Sequence, residues 1–291
     1  MEQKTRESYR TLFLNIGYEC NNNCIFCYEG ETDSKVSYPK ISLEEICQTL
    51  AAAVLEYEMV VFLGAEPTLR PDFVDILRYA KDIGFKKISF STNGRRFNDP
   101  DFARDVSASG VDCIVFSIAG GDAETHDSET RAPGSFNEMV GGLRNMVKFS
   151  GGPVISVSFT LNKGNYGTLE KAIDLLSEIG VDEVTLRNTY PLSHRTFGKE
   201  DLIMKMSDLS GYIIGVLEKR NFFANPPFRL FLQEFLPCVL PLEMRRHFIA
   251  NRGEGNTYIR IAACSECAHS EMCSGILDTY ADIYGTEEFH L

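Results

Sequence analysis

The chain has 291 residues, 44% of them hydrophobic, which suits one large domain or one domain with an appendage. Its 41 acidic and 29 basic residues give a formal net charge of -12 and a pI near 5.0. Nucleic-acid-binding proteins are expected to carry a basic patch, so this balance argues against a nucleic-acid partner.

The N-terminal segment, MEQKTRESYRTLFLNIG, has no long apolar run and no small-residue cleavage site, so no secretory signal is predicted. No stretch approaches the roughly 18 apolar residues of a membrane span, and no membrane partner is expected. We therefore expect a cytoplasmic protein. In that compartment its nine cysteines are more typical of metal binding than of a disulfide framework.

Short β-rich runs alternate with helical segments from residue 11 to about residue 187. Strands are predicted at Thr11–Gly17, Met59–Gly64 and Pro153–Leu161. Ser42 and Ser135 each precede a Glu by three residues, and this capping-box pattern predicts that a helix begins at each of them.

The middle of the chain repeats one unit, in which a helical stretch ends in glycine and an apolar run follows. The glycines are Gly84, Gly110 and Gly180, and each suits the left-handed conformation that ends a helix. Strands alternating with helices predict a parallel sheet. With six strands by about residue 187, the predicted fold is α/β, a partial (β/α)6 TIM-like barrel.

The strand–helix pattern breaks after residue 187. A further helix is predicted around Leu209–Lys219, and the NPP sequence at Asn225–Pro227 marks a boundary. We predict a barrel domain over residues 11–222 and a small Cys-rich C-terminal extension over residues 223–291.

Three cysteines lie within eight residues, in the sequence ECNNNCIFCYEG directly after the first predicted strand. Cys20, Cys24 and Cys27 have the spacing C-x3-C-x2-C, and Phe26 lies where it would shield a bound metal. Thiolates select zinc, cuprous copper or iron–sulfur clusters, and α/β barrels carry their sites at strand C-terminal ends. A structural zinc would need a fourth ligand, which no nearby His supplies.

The pattern C-x3-C-x-aromatic-C after a first strand resembles the radical S-adenosylmethionine (SAM) superfamily. The resemblance implies that Cys20, Cys24 and Cys27 hold a catalytic 4Fe-4S cluster, whose unligated iron binds the amino and carboxylate groups of SAM. It implies reductive cleavage of SAM to a 5′-deoxyadenosyl radical, which abstracts a hydrogen atom from an unactivated C–H bond.

The sequence FLGAEPTL follows the second predicted strand and is similar to the G-G-E-P motif of that family. Gly64 permits close backbone approach, Ala65 replaces the second glycine, and Pro67 completes the motif. Glu66 can accept a hydrogen bond from an ammonium group. The resemblance implies that this group is the methionyl amine and that all four residues contact the cofactor.

Polar residues also end the later strands. An ordinary turn explains any single one of them, but strand C-terminal ends face one mouth of a barrel, which favours a shared site. By resemblance Ser117 lies near the ribose, and Asn162 and Arg187 contact cofactor or substrate. The cofactor-binding candidates in this group are Ser91, Asn93, Ser117, Asn162 and Arg187.

The sequence HDSETRAPGSF is predicted to be a loop after the fourth strand. Similar loops recur in peptide-modifying and antibiotic-pathway members of the family. His126 and Arg131 are therefore substrate-side candidates.

A second group of cysteines lies near the C-terminus, in the sequence CSECAHSEMC. Four cysteines can close a tetrahedral zinc site or hold a 4Fe-4S cluster, and His269 is a possible substitute ligand. The C-x2-C-x5-C core looks like the SPASM or twitch appendages of radical SAM enzymes, which implies one auxiliary 4Fe-4S cluster. The predicted ligands are Cys238, Cys264, Cys267 and Cys273.

Cys238 has two possible roles. As a ligand it completes the second site, and as a thiol it donates a hydrogen atom to a substrate radical, as in epimerases of this superfamily. Cys47 and Cys113 fall in a predicted helix and a predicted strand, and buried structural cysteines are the expectation for both.

The resemblance implies two 4Fe-4S clusters and SAM as cofactors, with an external one-electron donor of flavodoxin or ferredoxin type. Oxidation or bond formation follows if the auxiliary cluster accepts an electron, and epimerisation if a thiol quenches the radical. The substrate classes are a peptide and a small molecule, such as a sugar or aminoglycoside whose cationic charge suits an acidic chain. The alternative is a non-enzymatic protein with zinc at both sites, against which the G-A-E-P segment argues.

Overall fold

In this computed structural model the structure describes residues 9–27, 40–149, 151–190, 201–249 and 257–289. All nine cysteines and every other candidate site residue lie within these ranges. Residues 28–30, the end of the first Cys-rich sequence, lie outside them.

Eight strands follow one another in chain order in one sheet. Adjacent strands pair in parallel from β1 to β4 and again from β5 to β8. The strands are β1 (Thr11–Asn15), β2 (Met59–Leu63), β3 (Lys87–Thr92), β4 (Cys113–Ile118), β5 (Val154–Leu161), β6 (Glu183–Asn188), β7 (Arg229–Gln233) and β8 (Phe248–Ile249).

The predicted fold class is confirmed, because helices alternate with parallel strands in a partial TIM-like barrel. The sheet has two more strands than predicted. β7 and β8 were assigned to the C-terminal extension, since they follow the break in the sequence pattern.

Nine α-helices occur in the described chain. They are α1 (Leu43–Ala53), α2 (Phe73–Asp82), α3 (Pro100–Ser107), α4 (Ala123–Thr130), α5 (Ser135–Met146), α6 (Leu169–Ile179), α7 (Met206–Lys219), α8 (Leu242–Arg245) and α9 (Asp278–Tyr284). A separate antiparallel pair of short strands consists of β9 (Tyr258–Ile259) and β10 (Ile276–Leu277).

The capping box at Ser42 is present, with the Glu45 amide donating to the Ser42 hydroxyl and the Ser42 amide to the Glu45 carboxylate. A helix also begins at Ser135, as predicted. Ser135 is fully buried inside the first turn of α5, and the Asp127 carboxylate accepts from the amides of Gly134 and Phe136.

The chain divides into two compact units that are not continuous in sequence. The first comprises residues 1–21, 32–116 and 138–155, and the second comprises residues 22–31, 117–137 and 156–291. The predicted domain boundary after residue 222 stays a prediction. Within the described residues, no helix is long and apolar enough to cross a membrane.

Candidate active site and second cysteine group

The chain after β1 continues to pair with the chain after β2 as far as Glu19. The Ala65 amide donates to the Gly17 carbonyl at 3.1 Å, and the Glu66 amide donates to the Glu19 carbonyl at 2.9 Å. Cys20 follows directly. We call residues 20–27, which carry the first three cysteines, the cysteine segment. The G-A-E-P segment (Gly64–Pro67) therefore fixes the backbone that leads into it.

Gly64 permits the close approach that the sequence predicts. Its φ is +139°, and a Cβ at this position would lie 2.5 Å from the Gly17 carbonyl oxygen. Ala65, which replaces the second glycine of the family motif, is not among the residues with positive φ. The departure from the motif therefore causes no backbone strain.

Glu66 is buried and ties the end of β2 to the end of β3. Its Oε1 accepts hydrogen bonds from the amide and hydroxyl of Thr68 and from the hydroxyl of Thr92, at 2.6–3.2 Å. Its Oε2 accepts from the Asn93 amide at 2.6 Å. Burial raises the pKa of Glu66, although these hydrogen bonds oppose the shift. The predicted contact with an ammonium group would use Oε2, since three donors already engage Oε1.

Asn93 contacts the start of the cysteine segment. Its amide nitrogen Nδ2 donates to Asn21 Oδ1 at 2.6 Å and lies 3.9 Å from Cys20 Sγ. The Arg95 guanidinium also donates to the Asn21 carbonyl. Ser91, the neighbouring candidate, is half-buried in β3.

Cys24 lies between two backbone hydrogen bonds to the last turn of α4. The Asn23 amide donates to the Thr130 carbonyl at 2.8 Å, and the Ile25 amide donates to the Glu129 carbonyl at 2.9 Å. The Cys27 amide donates to the Cys24 carbonyl at 3.3 Å, so one turn carries both of these thiols. Phe26 lies within this turn and is half-buried.

Of the two substrate-side candidates, one is a core residue. His126 is 1% exposed, its Nδ1 accepts from the Ala119 amide, and its ring contacts Phe136. We therefore withdraw it from the substrate side. Arg131 is exposed and ends α4 with a φ of +51°, and Ser117 is exposed within β4.

Asn162 and Arg187 are both engaged with acidic residues that the sequence analysis missed. Asn162 is fully buried, and its Nδ2 donates to Glu129 Oε2 at 2.7 Å. Arg187 forms a two-point ion pair with Glu234 at the end of β7. Glu129 lies inside a quoted motif, but neither carboxylate has a local sequence signal, because each partner lies more than 30 residues away.

The four C-terminal cysteines line one pocket, which we call the cysteine pocket. The pocket is open to solvent. Arg260 is also in its lining and donates to the carbonyls of Ser270 and Cys273. His269 is not among the lining residues. The cysteines are Cys238, Cys264, Cys267 and Cys273.

Burial raises the pKa of the Cys238 thiol to about 11, with a contribution from Cys273, and burial also raises the pKa of Cys273. All nine cysteines lie in the described residues, and none forms a disulfide. Cys47 and Cys113 are half-buried. In the part of the chain that the structure describes, no three His, Cys, Asp or Glu side chains are arranged to hold a single metal ion.

The chain was compared with protein families and curated proteins. Residues 14–176 match the Radical SAM superfamily model. A probable GTP 3′,8-cyclase of Sulfurisphaera tokodaii is 31% identical over 64% of this chain and 58% of its own length. An AdoMet-dependent heme synthase of Methanosarcina barkeri is 30% identical over 55% of this chain and 45% of its own length. The chain thus spans less than two thirds of these relatives.

Solved structures share the fold at low identity. Native anSMEcpe with bound AdoMet aligns with a TM-score of 0.67 at 15% identity, covering 96% of this chain and 95% of that one. Streptococcus suis SuiB bound to precursor peptide SuiA aligns with a TM-score of 0.64 at 13% identity, covering 97% of this chain and 74% of that one.

Proposed function

The chain belongs to the radical SAM superfamily, and from that membership we propose that it is an enzyme that uses a hydrogen-abstracting radical to epimerise or oxidise a polar substrate. The observation that carries the proposal is the pairing of the G-A-E-P segment with the backbone that enters the cysteine segment. That pairing supports the proposal, because the segment similar to the family's SAM motif lies next to the segment similar to its cluster motif.

The residues present fit a 4Fe-4S cluster and SAM. Cys20, Cys24 and Cys27 are half-buried thiols outside any disulfide, and thiolates are the ligands that iron–sulfur clusters require. A reduced cluster and SAM held there would supply hydrogen-abstracting radical chemistry. Glu66 would accept a hydrogen bond from the methionyl amine through Oε2, while the donors on Oε1 hold its carboxylate in place.

We assign the cysteine pocket to an auxiliary 4Fe-4S cluster. Four thiols line it, which is the ligand number of a tetrahedral zinc site and of a 4Fe-4S cluster alike, and we favour the cluster because the first cysteine site already implies iron–sulfur chemistry. Because Cys238 lines the pocket beside the other three, we assign it as the fourth ligand rather than as a hydrogen-atom donor.

The substrate side is assigned to a row of polar residues. In the strand register Thr160 lies beside Arg187, and Arg187 lies beside Gln233. In-register residues point to the same side of a sheet. All three are half-buried, while the residues directly before and after each of them along the chain are buried. A hydroxyl, a guanidinium and a carboxamide suit a polar substrate, and the pair of Arg187 with Glu234 keeps the row close to neutral.

Sugar-like molecules and peptides both carry polar groups that can hydrogen-bond to this row of residues. A probable GTP 3′,8-cyclase is among the similar proteins, and so is SuiB bound to precursor peptide SuiA, which supports keeping both substrate classes. The enzyme works in the cytoplasm, and a flavodoxin or ferredoxin supplies the electron.

Anaerobic reconstitution tests the proposal, with iron and sulfide counted per chain and 5′-deoxyadenosine assayed after reduction. About eight irons with SAM cleavage supports two 4Fe-4S clusters. About four irons with cleavage would leave the cysteine pocket to zinc or to a thiol donor. Zinc alone, with no cleavage under any reductant, would overturn the enzyme assignment.

A further inference from the structure

Glu129 is a buried carboxylate that the proposed chemistry does not use. It is 4% exposed, and burial raises its pKa. Burying a carboxyl group costs free energy unless it is hydrogen-bonded. Its side chain meets Asn162 Nδ2 at 2.7 Å, and its own carbonyl accepts from the Ile25 amide. One residue therefore contacts the loop after β5 with its side chain and the cysteine segment with its backbone.

The loop after β5 is a rigid anchor for this contact. The Gly164 amide donates to Asn162 Oδ1 at 2.6 Å, and the Asn162 amide donates to Asn165 Oδ1 at 2.8 Å. Asn165 is also fully buried, and its Nδ2 donates to the carbonyls of Ala119 and Thr160. Asn162 therefore has little freedom to follow Glu129 if the helix end moves.

Gly164 leaves the space that the carboxylate occupies. A Cβ at this position would overlap Glu129 Oε1 and lie 3.1 Å from Asn162 Oδ1. Gly167, three residues later in the same loop, has no atom within 4 Å of the equivalent point. The two glycines are therefore a matched pair for substitution by alanine. Only the change at Gly164 would disturb the hydrogen bond between Glu129 and Asn162.

We propose that Glu129 is a positioning residue for the first cluster. Its side chain holds the last turn of α4 against Asn162, and that turn holds the backbone on both sides of Cys24. The inference rests on the proposed function, because Cys24 is assigned there as a cluster ligand. In this proposal the role of Glu129 is indirect. It acts through the carbonyls of residues 129 and 130, which accept from the amides of Ile25 and Asn23.

The first measurement uses the full-length apoprotein. Hydrogen exchange is followed at the amides of Asn23 and Ile25 in wild type, Glu129→Ala, Gly164→Ala and Gly167→Ala. We expect about tenfold faster exchange in the first two variants, as for loss of a hydrogen bond to a charged group, and no change in Gly167→Ala. Equal exchange in Gly164→Ala and Gly167→Ala would overturn the inference.

The second measurement uses reconstituted protein. The rate of iron release to a chelator and the reduction potential of the first cluster are compared between Gly164→Ala and Gly167→Ala, each carrying Cys267→Ala to remove the auxiliary cluster. We expect about tenfold faster release and a shifted potential in Gly164→Ala only. Identical values would contradict the inference. If wild type itself forms no cluster, the proposed function fails, while the exchange measurement still decides the role of Glu129 in the apoprotein.

Discussion

The guanidinium of Arg187 donates to both carboxylate oxygens of Glu234, at 2.6 Å and 3.3 Å, across the ends of β6 and β7. Glu234 is 8% exposed and has a backbone φ of +64°, which residues other than glycine rarely adopt. Strain of this kind persists only where surrounding contacts hold it. The ion pair is therefore part of what keeps this edge of the proposed substrate site in shape.

Arg187→Gln is expected to lower the free energy of unfolding by about 1 to 3 kcal/mol, because it leaves a buried carboxylate without its charged partner. Arg229→Gln is the matched control, since Arg229 pairs with Glu183 between the same two strands but is 66% exposed. It should cost under about 1 kcal/mol. Urea unfolding measures both, and equal losses would contradict the assigned difference.

Gly64→Ala is expected to destabilise the protein and to lower the iron content after reconstitution. The added Cβ meets a backbone oxygen at 2.5 Å, which cannot move as a flexible side chain would. Gly84→Ala is the control that isolates backbone strain from steric overlap. Gly84 also has a positive φ, but a Cβ added there would have no atom within 4 Å. Urea unfolding and iron analysis of both variants should show the larger loss at Gly64, and a larger loss at Gly84 would be inconsistent with close approach.

Cys24→Ala should abolish formation of 5′-deoxyadenosine and lower iron from about eight to about four per chain, since one 4Fe-4S cluster remains in the cysteine pocket. The assay combines iron analysis with chromatography of the cofactor products. Cys47→Ala, in α1, is the control and should change neither quantity. Undiminished formation of 5′-deoxyadenosine by Cys24→Ala would show that the cysteine segment does not hold the catalytic cluster.

Cys238→Ala distinguishes the two roles of that residue. As the fourth ligand of the cysteine pocket, its loss should lower iron to about four per chain while SAM cleavage continues. Full iron content, combined with cleavage but a quenching defect in the product, would identify Cys238 as a hydrogen-atom donor instead. Iron analysis and product analysis in deuterated solvent report the two outcomes.

Asp127→Asn should lower the free energy of unfolding at pH 7 by about 1 kcal/mol, because a carboxamide offers one uncharged acceptor oxygen in place of two charged ones, and hydrogen bonds to charged groups are the stronger. Burial acts to raise the pKa of Asp127, but hydrogen bonds from Phe136, Gly134 and Ser135 outweigh it and lower the pKa below the usual value. A lowered pKa gives stability above the unfolded value of 3.8, which is lost as pH falls through the folded pKa.

The deficit of Asp127→Asn should therefore shrink as wild type is acidified below pH 4. Urea unfolding at a series of pH values measures it, with Asp75→Asn, at an exposed position, as the comparison. A deficit that stays constant down to pH 2 would show that the contribution of Asp127 does not depend on its charge.

Features whose residues lie close together in the chain could be predicted from the sequence. The C-x3-C-x2-C segment, the G-A-E-P segment and the capping box at Ser42 each act within a few residues, so their patterns identify them. The pairs of Glu129 with Asn162 and of Arg187 with Glu234 depend on strand order and register, which no window of sequence contains. The same reason explains β7, whose place in the sheet depends on its pairing with β6.

The contacts that flank Cys24 also bear on how the chain is made. Residues 22–27 belong to the same compact unit as residues 117–137 and 156–291, and Asn23 and Ile25 bind carbonyls of residues 129 and 130. A ribosome that adds about 5 to 20 residues per second needs roughly 8 to 33 s to reach the anchor at Asn165. Until then the segment that carries Cys24 and Cys27 lacks the surface on which it packs in the folded chain. Insertion of the first cluster is therefore expected to follow synthesis of the chain through Asn165.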